Sequence, residues 1–481
     1  MSNLSVNIKM FQVGELGDCF LLKFKKDGSE SSVLIDCGSF RNSDKSEQRL
    51  QTIAGFIQDD LEGMPLDVVV GTHQHNDHLS GFVHAFGVFQ QTGINNVWLS
   101  WLDDPKDEQA GKIAAGQRKV TDNLQKIVDG LAKNNNESHS LASSRISDVL
   151  GFYLAADDAE VPKAEKKVKR PPVVPQMGID NLRKLGKTIS YLSPGSVLDL
   201  PALPQNSVKV YVLGPPRNSN LLFDINPNKD ETYDTKLAAI SNLAEGYLSA
   251  MKNFTGEPVD SDEGNFPFDK KHDRKLTSKL FSKEYQMKKN AWRTIDDEWL
   301  DQAERLSLYL DTYTNNSSLV LAFELVECSK VLLFVGDAQT GNWLSWEDIK
   351  WDKDKVKAGF SLDYLLNNTV LYKVGHHCSH NATLKEYLDD KIIHKDLVAM
   401  IPVDRTDPNI TKNNGWKMPA VNLYKKLKEN TQNRVLVMDV GYDADCDPDG
   451  QAKEAWAKVP FKPVYNQQKF YIEYEVHSDS N

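Results

Sequence analysis

The 481-residue chain lacks most features that would settle its class at a glance. Its five cysteines (19, 37, 328, 378, 446) are odd in number, widely spread and never paired as CxxC. That argues against a disulfide framework, and a reducing cytoplasm is the expected setting. No apolar run approaches the ~20 residues needed to span a bilayer. The start MSNLSVNIKMF has neither the basic end nor the apolar stretch of a secretory signal, so no membrane partner is expected. There is no phosphate-binding Walker loop, no GxGxxG and no GxSxG elbow. No repeat recurs at solenoid or propeller periods. Basic excess is missing too: 57 Lys+Arg against 68 Asp+Glu give a net charge of −11. The average field therefore repels nucleic acids and anionic membranes, although a local basic face stays open. What is present is an ordinary globular balance, 40% hydrophobic and 26% charged, which excludes disorder of the whole chain.

Strand and helix signals alternate in the first hundred residues. VNIKMFQV (6–13), CFLLKF (19–24) and SSVLIDCG (31–38) read as strands, a helix follows over 49–61, and LDVVVGT (66–72) has the continuous apolar pattern of a buried central strand. Residues 79–91 read as helix and 95–101 as strand. Further strands are expected at 208–216, 317–325, 330–337, 370–377, 396–403, 434–440 and 470–476. The organisation expected is one mixed α/β core, residues 1–102 and 315–440 with strand 208–216. Two mostly helical insertions, 103–205 and 217–310, interrupt it, and 441–481 form a C-terminal extension.

Histidine carries the information. Six of eleven lie in two clusters, 73, 75, 78 and 376, 377, 380. The first follows the strand LDVVVGT as His73-Gln74-His75-Asn76-Asp77-His78, an H-x-H-x-D-H pattern. In an extended loop residues i and i+2 share a side, so His73 and His75 can grip one ion. Asp77 and His78 can hold a second nearby. Imidazole and carboxylate suit Zn, Mn or Fe. Two ions about 3.5–4 Å apart can bridge a hydroxide and clamp the oxygens of a reacting phosphate or carbonyl. A polar loop with chance histidines is the competing reading, and three His and one Asp within six residues count against it.

The pattern resembles the metallo-β-lactamase superfamily, which implies an αββα sandwich with the site at the strand ends. Within that resemblance Asp36 of LIDCG corresponds to an early D-x-G turn that supports the metal loop. Asp337 of KVLLFVGD corresponds to the carboxylate that bridges the metals, and VLYKVGHHCSH (370–380) to the last ligand motif. NNSSLVLAFEL, LLFVGDA and YKVGHHCS also resemble the hydrolase domain of ComEC-type competence proteins and their stand-alone bacterial relatives, which carry N-x-S-x-V, G-D and K-x-H-H-G-S. Two departures stand out. Cys378 replaces the usual Gly after the His pair. The further His that many members place before the bridging Asp has only His84, His139 and His272 as candidates, none directly after a strand.

The metal ligands expected are His73, His75, Asp77, His78, Asp337 and His377, with His376 as the alternative to His377 or as a substrate-facing group. His380 is a candidate proton donor, with a surface or packing histidine as the competing reading. Asp77, His376 and His380 form the expected catalytic set. The implied activity is hydrolysis by a metal-bound hydroxide on one or two divalent ions, Zn or Mn. Phosphodiesters of DNA or RNA come first. Small molecules (a lactone, lactam or cyclic nucleotide) or a non-catalytic partner role in a bacterial defence system are the alternatives. Two basic segments, 163–187 at net +6 and 270–293 at net +7, support nucleic acid as a partner, solvated lysine-rich helix faces being the plainer reading. Trp98, Trp101, Trp343 and Trp346 could stack bases or simply pack. Asp443-x-Asp445-x-Asp447 imitates a calcium loop but has Pro448 where that loop needs Gly.

Overall fold

The computed structural model describes residues 4–41, 43–131, 137–153, 174–222, 298–412, 415–439, 441–442 and 451–478. Residues 235–253, which read as a helix in sequence, residues 163–173 of the first basic segment, all of the second and most of the calcium-like loop lie outside the described residues. The chain divides into two compact units. One comprises residues 1–110, 151–232 and 312–481, the other 111–150 and 233–311. Helices Glu108–Leu131, Glu137–Leu150 and Glu298–Asn316 supply the described part of the second unit.

The first unit is built on sixteen strands among the described residues: β1 (Ser5–Phe11), β2 (Cys19–Lys26), β3 (Ser29–Cys37), β4 (Leu66–Val70), β5 (Ile94–Ser100), β6 (Gly186–Leu192), β7 (Val197–Asp199), β8 (Val208–Gly214), β9 (Val320–Leu325), β10 (Lys330–Phe334), β11 (Thr369–Lys373), β12 (Val398–Ile401), β13 (Val435–Val437), β14 (Gly441–Tyr442), β15 (Val464–Asn466) and β16 (Tyr471–His477). They form two mixed sheets, ordered β15-β16-β1-β2-β3-β4-β5-β6 and β14-β13-β12-β11-β10-β9-β8-β7. β4 lies between β3 and β5 and is parallel to both, which explains why its apolar residues run without polar interruption. The sheets pack face to face. Phe20 of β2 meets Phe334 of β10 edge-on at 5.6 Å, and Phe24 meets Phe323 of β9 at 5.7 Å. Helix α1 (Asp44–Asp60) is capped by Ser43 and buries Leu50, Ile53, Ala54 and Ile57, the spacing of one helical face. The fold is the expected α/β sandwich.

Three expectations are corrected. Residues 103–205 are not simply a helical insertion: β6 pairs in parallel with β5, and β7 pairs with β8. Their Lys, Thr, Ser and Asp residues belong to edge strands, where polarity guards against stray pairing and hides the strand signal. Residues 441–481 are not an appendage, since β16 pairs with β1 along seven residues and buries Ile472 and Val476. The stretch read as one helix over 79–91 is helical but interrupted at Ser80 and Ala85, giving Asn76–Leu79, Gly81–His84 and Phe86–Thr92. No helix among the described residues is long and apolar enough to cross a membrane.

The core role of β16 is testable. Ile472→Ala should cost about 2–5 kcal/mol, the usual penalty for emptying a fully buried aliphatic site, in urea denaturation. Removing residues 464–481 should leave β1 as an exposed edge strand, still paired with β2 alone, and give aggregates in light scattering. A truncated chain that stays monomeric with unchanged stability would return the segment to the status of an extension.

Candidate metal centre

The centre lies where four strands end. β3 ends at Cys37, with Asp36 just before it held at φ 55, and β4 runs into Thr72 and the His73–His78 loop. The Asp36 carboxylate ties these together. It accepts the Thr72 N–H (2.8 Å), the Thr72 hydroxyl (2.7 Å) and the His78 Nδ1–H (2.7 Å). Gly38, two residues on, is packed so closely that a Cβ would lie 2.4 Å from the Asp77 carbonyl carbon and 2.4 Å from the His78 nitrogen. This is the physical content of the D-x-G turn.

On the other sheet, β10 leads through Gly336 (φ 53) to Asp337, whose N–H donates to Ser318 Oγ (3.0 Å). Asn316 and Ser318, two positions of the N-x-S-x-V pattern, are scaffold here. The Asn342 amide donates to the backbone carbonyls of both. β11 leads into a left-handed turn in which His376, His377 and Cys378 all have positive φ (45, 49 and 64). That is costly for residues with a Cβ. The usual Gly is explained by this turn, and Cys378 bears its strain. Its thiol is buried, pushed up by that burial, and outside the groups able to hold a metal among the described residues.

Asp77, His78, Asp337 and His377 converge, each offering a ligand atom within 4.8 Å of the others and all buried. His377 Nε2 is 2.9 Å from Asp77 Oδ2 and 3.7 Å from Asp337 Oδ2. His78 Nε2 is 3.3 Å from Asp337 Oδ2 and 3.6 Å from Asp77 Oδ2. The structure thus turns His377, not His376, toward the group. The His376 ring lies against Gln339 Nε2 (3.0 Å) and Ser379 Oγ (2.7 Å). Burial lowers its pKa to about 4, so it is neutral. His380 is exposed in the following turn. His84 stands by Glu47 at 3.7 Å and joins neither metal-capable group. The side chains of His139 and His272 lie outside the described residues.

The donors fit an ion. His73 Nδ1 is 3.0 Å from the Thr72 hydroxyl, which itself donates to Asp36, so the imidazole N–H sits on Nδ1 and the lone pair on Nε2. His75 Nε2 is 2.9 Å from Tyr153 Oη, which donates to Thr314, so the lone pair of His75 sits on Nδ1. These two lone pairs, His73 Nε2 and His75 Nδ1, face each other at 3.1 Å. His377 Nδ1 donates to the Pro402 carbonyl at 2.7 Å. Each ring is therefore fixed through one nitrogen and presents the other, the usual support of a metal-ligating histidine. Asp77 Oδ1 and His78 Nε2 are buried without a hydrogen-bond partner. A divalent cation would satisfy them.

Electrostatics point the same way. Burial lowers the pKa of His75 to about 3 and that of His73 well below the usual value, so both are neutral donors. Burial opposes charge on His78 and His377 as well, but Asp337 and Asp77 outweigh it. His78 is held well above its ordinary range, and His377 is raised to about 9. With no ion, those two rings carry protons that compensate the carboxylates. Burial likewise opposes ionisation of Asp337, yet Lys373, His78 and His377 keep it well below the usual carboxylate range.

Two buried residues escaped the sequence reading. Asp18 precedes β2, and Lys373 ends β11; their side chains form an ion pair at the edge of the centre. Burial raises Asp18 to about 6 despite Lys373. The signal was there: Lys373 is the one charged residue in the apolar run VLYKV. Trp98, Trp101, Trp343 and Trp346 are all buried, so they pack rather than stack bases.

An α/β sandwich with imidazoles and carboxylates gathered at its strand ends defines a metal-site fold. Residues 14–142, the segment holding Asp18, Asp36 and the His73–His78 loop, match the metallo-beta-lactamase superfamily. No curated protein matches the chain.

Because ligand histidines must be neutral, ion binding at pH 7 should release about two protons, from His78 and His377. Affinity should rise from pH 7 toward pH 9, where His377 loses its proton unaided. Calorimetry in buffers of different ionisation enthalpy measures this directly. Binding without proton release would show that these rings are not ligands.

Proposed function

We propose that the protein is a metal-dependent hydrolase of phosphodiesters, with DNA or RNA as substrate and Zn²⁺ or Mn²⁺ as the ion, one or two per chain. The observation that carries the hydrolase reading is the buried Asp77–His78–Asp337–His377 group with its unpartnered Asp77 Oδ1 and His78 Nε2. The superfamily match over residues 14–142 supports it. A divalent ion there supplies a water of lowered pKa and polarises the electrophile.

The chain's own residues do the rest. Asp77, His78, Asp337 and His377 hold the ion, with His73 and His75 as the donors for a second. Asp36, Thr72, Tyr153 and Pro402 fix the imidazoles. Asp77, whose Oδ2 lies 2.9 Å from His377 Nε2, orients the attacking water through its Oδ1. His376, neutral and positioned by Gln339 and Ser379, stands on the substrate side. His380, exposed just beyond, donates the proton to the leaving group. The phosphodiester assignment rests on the ComEC-like wording of NNSSLV, FVGDA and YKVGHHCS. The described end of the first basic segment adds Arg183, Lys184 and Lys187.

Purified protein with Mn²⁺ or Zn²⁺ should cut single- or double-stranded DNA or RNA on gels, and chelator should stop it. Asp77→Ala and Asp337→Ala should each cost more than about 10²-fold, since a lost metal contribution of several kcal/mol at 1.36 kcal/mol per decade exceeds that. Turnover of generic lactones or small phosphodiesters without nucleic-acid cleavage would shift the substrate class. An ion-loaded protein inert to all of them would sink the hydrolase reading.

A further inference from the structure

Lys373 is a buried lysine, 1% exposed, at the edge of a candidate metal centre. Its ammonium has three protons and three acceptors: the Gly336 carbonyl at 2.7 Å, Asp337 Oδ1 at 3.2 Å, and Asp18 Oδ2. Asp337 Oδ1 also accepts the His376 backbone N–H at 2.9 Å. Both in-plane lone pairs of that oxygen are thereby used. Only Oδ2 of Asp337 remains, and it faces His78 Nε2 at 3.3 Å and His377 Nε2 at 3.7 Å.

We propose that Lys373 is a positioning residue and resident cation of the metal centre: it occupies the space between Asp18 and Asp337 and makes Asp337 a one-oxygen ligand, through Oδ2, for an ion held with Asp77, His78 and His377. This rests on the metal-centre reading above. A bridging role using both oxygens of Asp337 is closed off by the two donors already on Oδ1. Asp18 and Asp36, which with His78 form the other metal-capable group, have Asp18 engaged by the ammonium instead.

The test separates position from charge. Lys373→Met alone leaves two buried carboxylates without their cation, whereas Asp18→Asn with Lys373→Met removes one charge of each sign and keeps the local sum. Mn²⁺ titration followed by electron paramagnetic resonance gives the affinity, the visible bands of the Co²⁺-loaded protein give the ligand geometry, and circular dichroism checks the fold. The folded double variant should bind Mn²⁺ about 10–100-fold more weakly, the usual loss when a ligand's support is removed, and should show altered Co²⁺ bands. Asp18→Asn alone, in which Lys373 still holds Asp337, should lose less.

A double variant with wild-type affinity and bands would overturn the role of Lys373 while leaving the metal centre standing. Wild-type protein that binds no ion would remove the metal centre and the proposal together. Should the double variant not fold, a crystal structure of the Mn²⁺-loaded wild type decides. Asp337 ligating through Oδ2 with Lys373 still on Oδ1 supports the proposal, and two-oxygen ligation or a displaced Lys373 refutes it.

Discussion

The constraint on which the centre depends is the burial of four carboxylates in one place. Asp18, Asp36, Asp77 and Asp337 are each at most 2% exposed. Two like charges about 4 Å apart at an effective dielectric near 20 repel by roughly 4 kcal/mol, so such a group cannot stand without cations. Lys373 supplies one positive charge from within the fold. Protons on His78 and His377 supply more when no ion is bound, and a divalent ion supplies them otherwise. The neutral pair His73 and His75 gains nothing from protons, because burial keeps them off. The same wall of the site thus contains two facing lone pairs that a cation would join. This is why the donor chemistry, and not the presence of histidine as such, argues for a metal.

The fold meets this constraint by bringing strand ends together and fixing the loops between them. Asp36 binds the ends of β3 and β4 to His78 through three hydrogen bonds. Gly38 lets the backbone of Asp77 and His78 approach where no side chain fits. On the opposite sheet the His376–Cys378 turn stays left-handed at a cost of about 1–2 kcal/mol per residue. It is held by His377 on the Pro402 carbonyl, by Ala420 N–H on the Cys378 carbonyl and by the Ser379 N–H on the His376 carbonyl. Strain here serves placement, since relaxing the turn would carry the His377 ring away from Asp77.

The sandwich and most of the centre were legible because their signals are local. β4 is a run of apolar residues, and the His73–His78 loop follows it directly. β6 and β7 were not legible, since edge strands such as GKTISYL are written in residues that also suit loops. β16 was readable as a strand, but its partner β1 lies more than 460 residues away, and no short-range pattern reports that pairing. Asp18 and Lys373 were missed for a related reason. Each is a single charged residue at a strand end, and its partner becomes visible only when two sheets bring them together. His376 and His377 are neighbours in sequence with the same chemistry. Only three successive positive φ angles decide which ring turns inward.

Cys378 shows how far the resemblance to related motifs carries and where it stops. The motif places Gly after the His pair, and the backbone here, at φ 64, is one that favours Gly. Cys378 keeps the conformation, so the surrounding hydrogen bonds, not the residue's own freedom, set the turn. Burial keeps its thiol protonated and therefore a poor ligand and a poor nucleophile. The substitution alters the energetics of the turn and leaves the ligand set as it was. The centre's character therefore follows from the carboxylates and the imidazoles facing them, and the residue that departs from the motif does its work through the backbone.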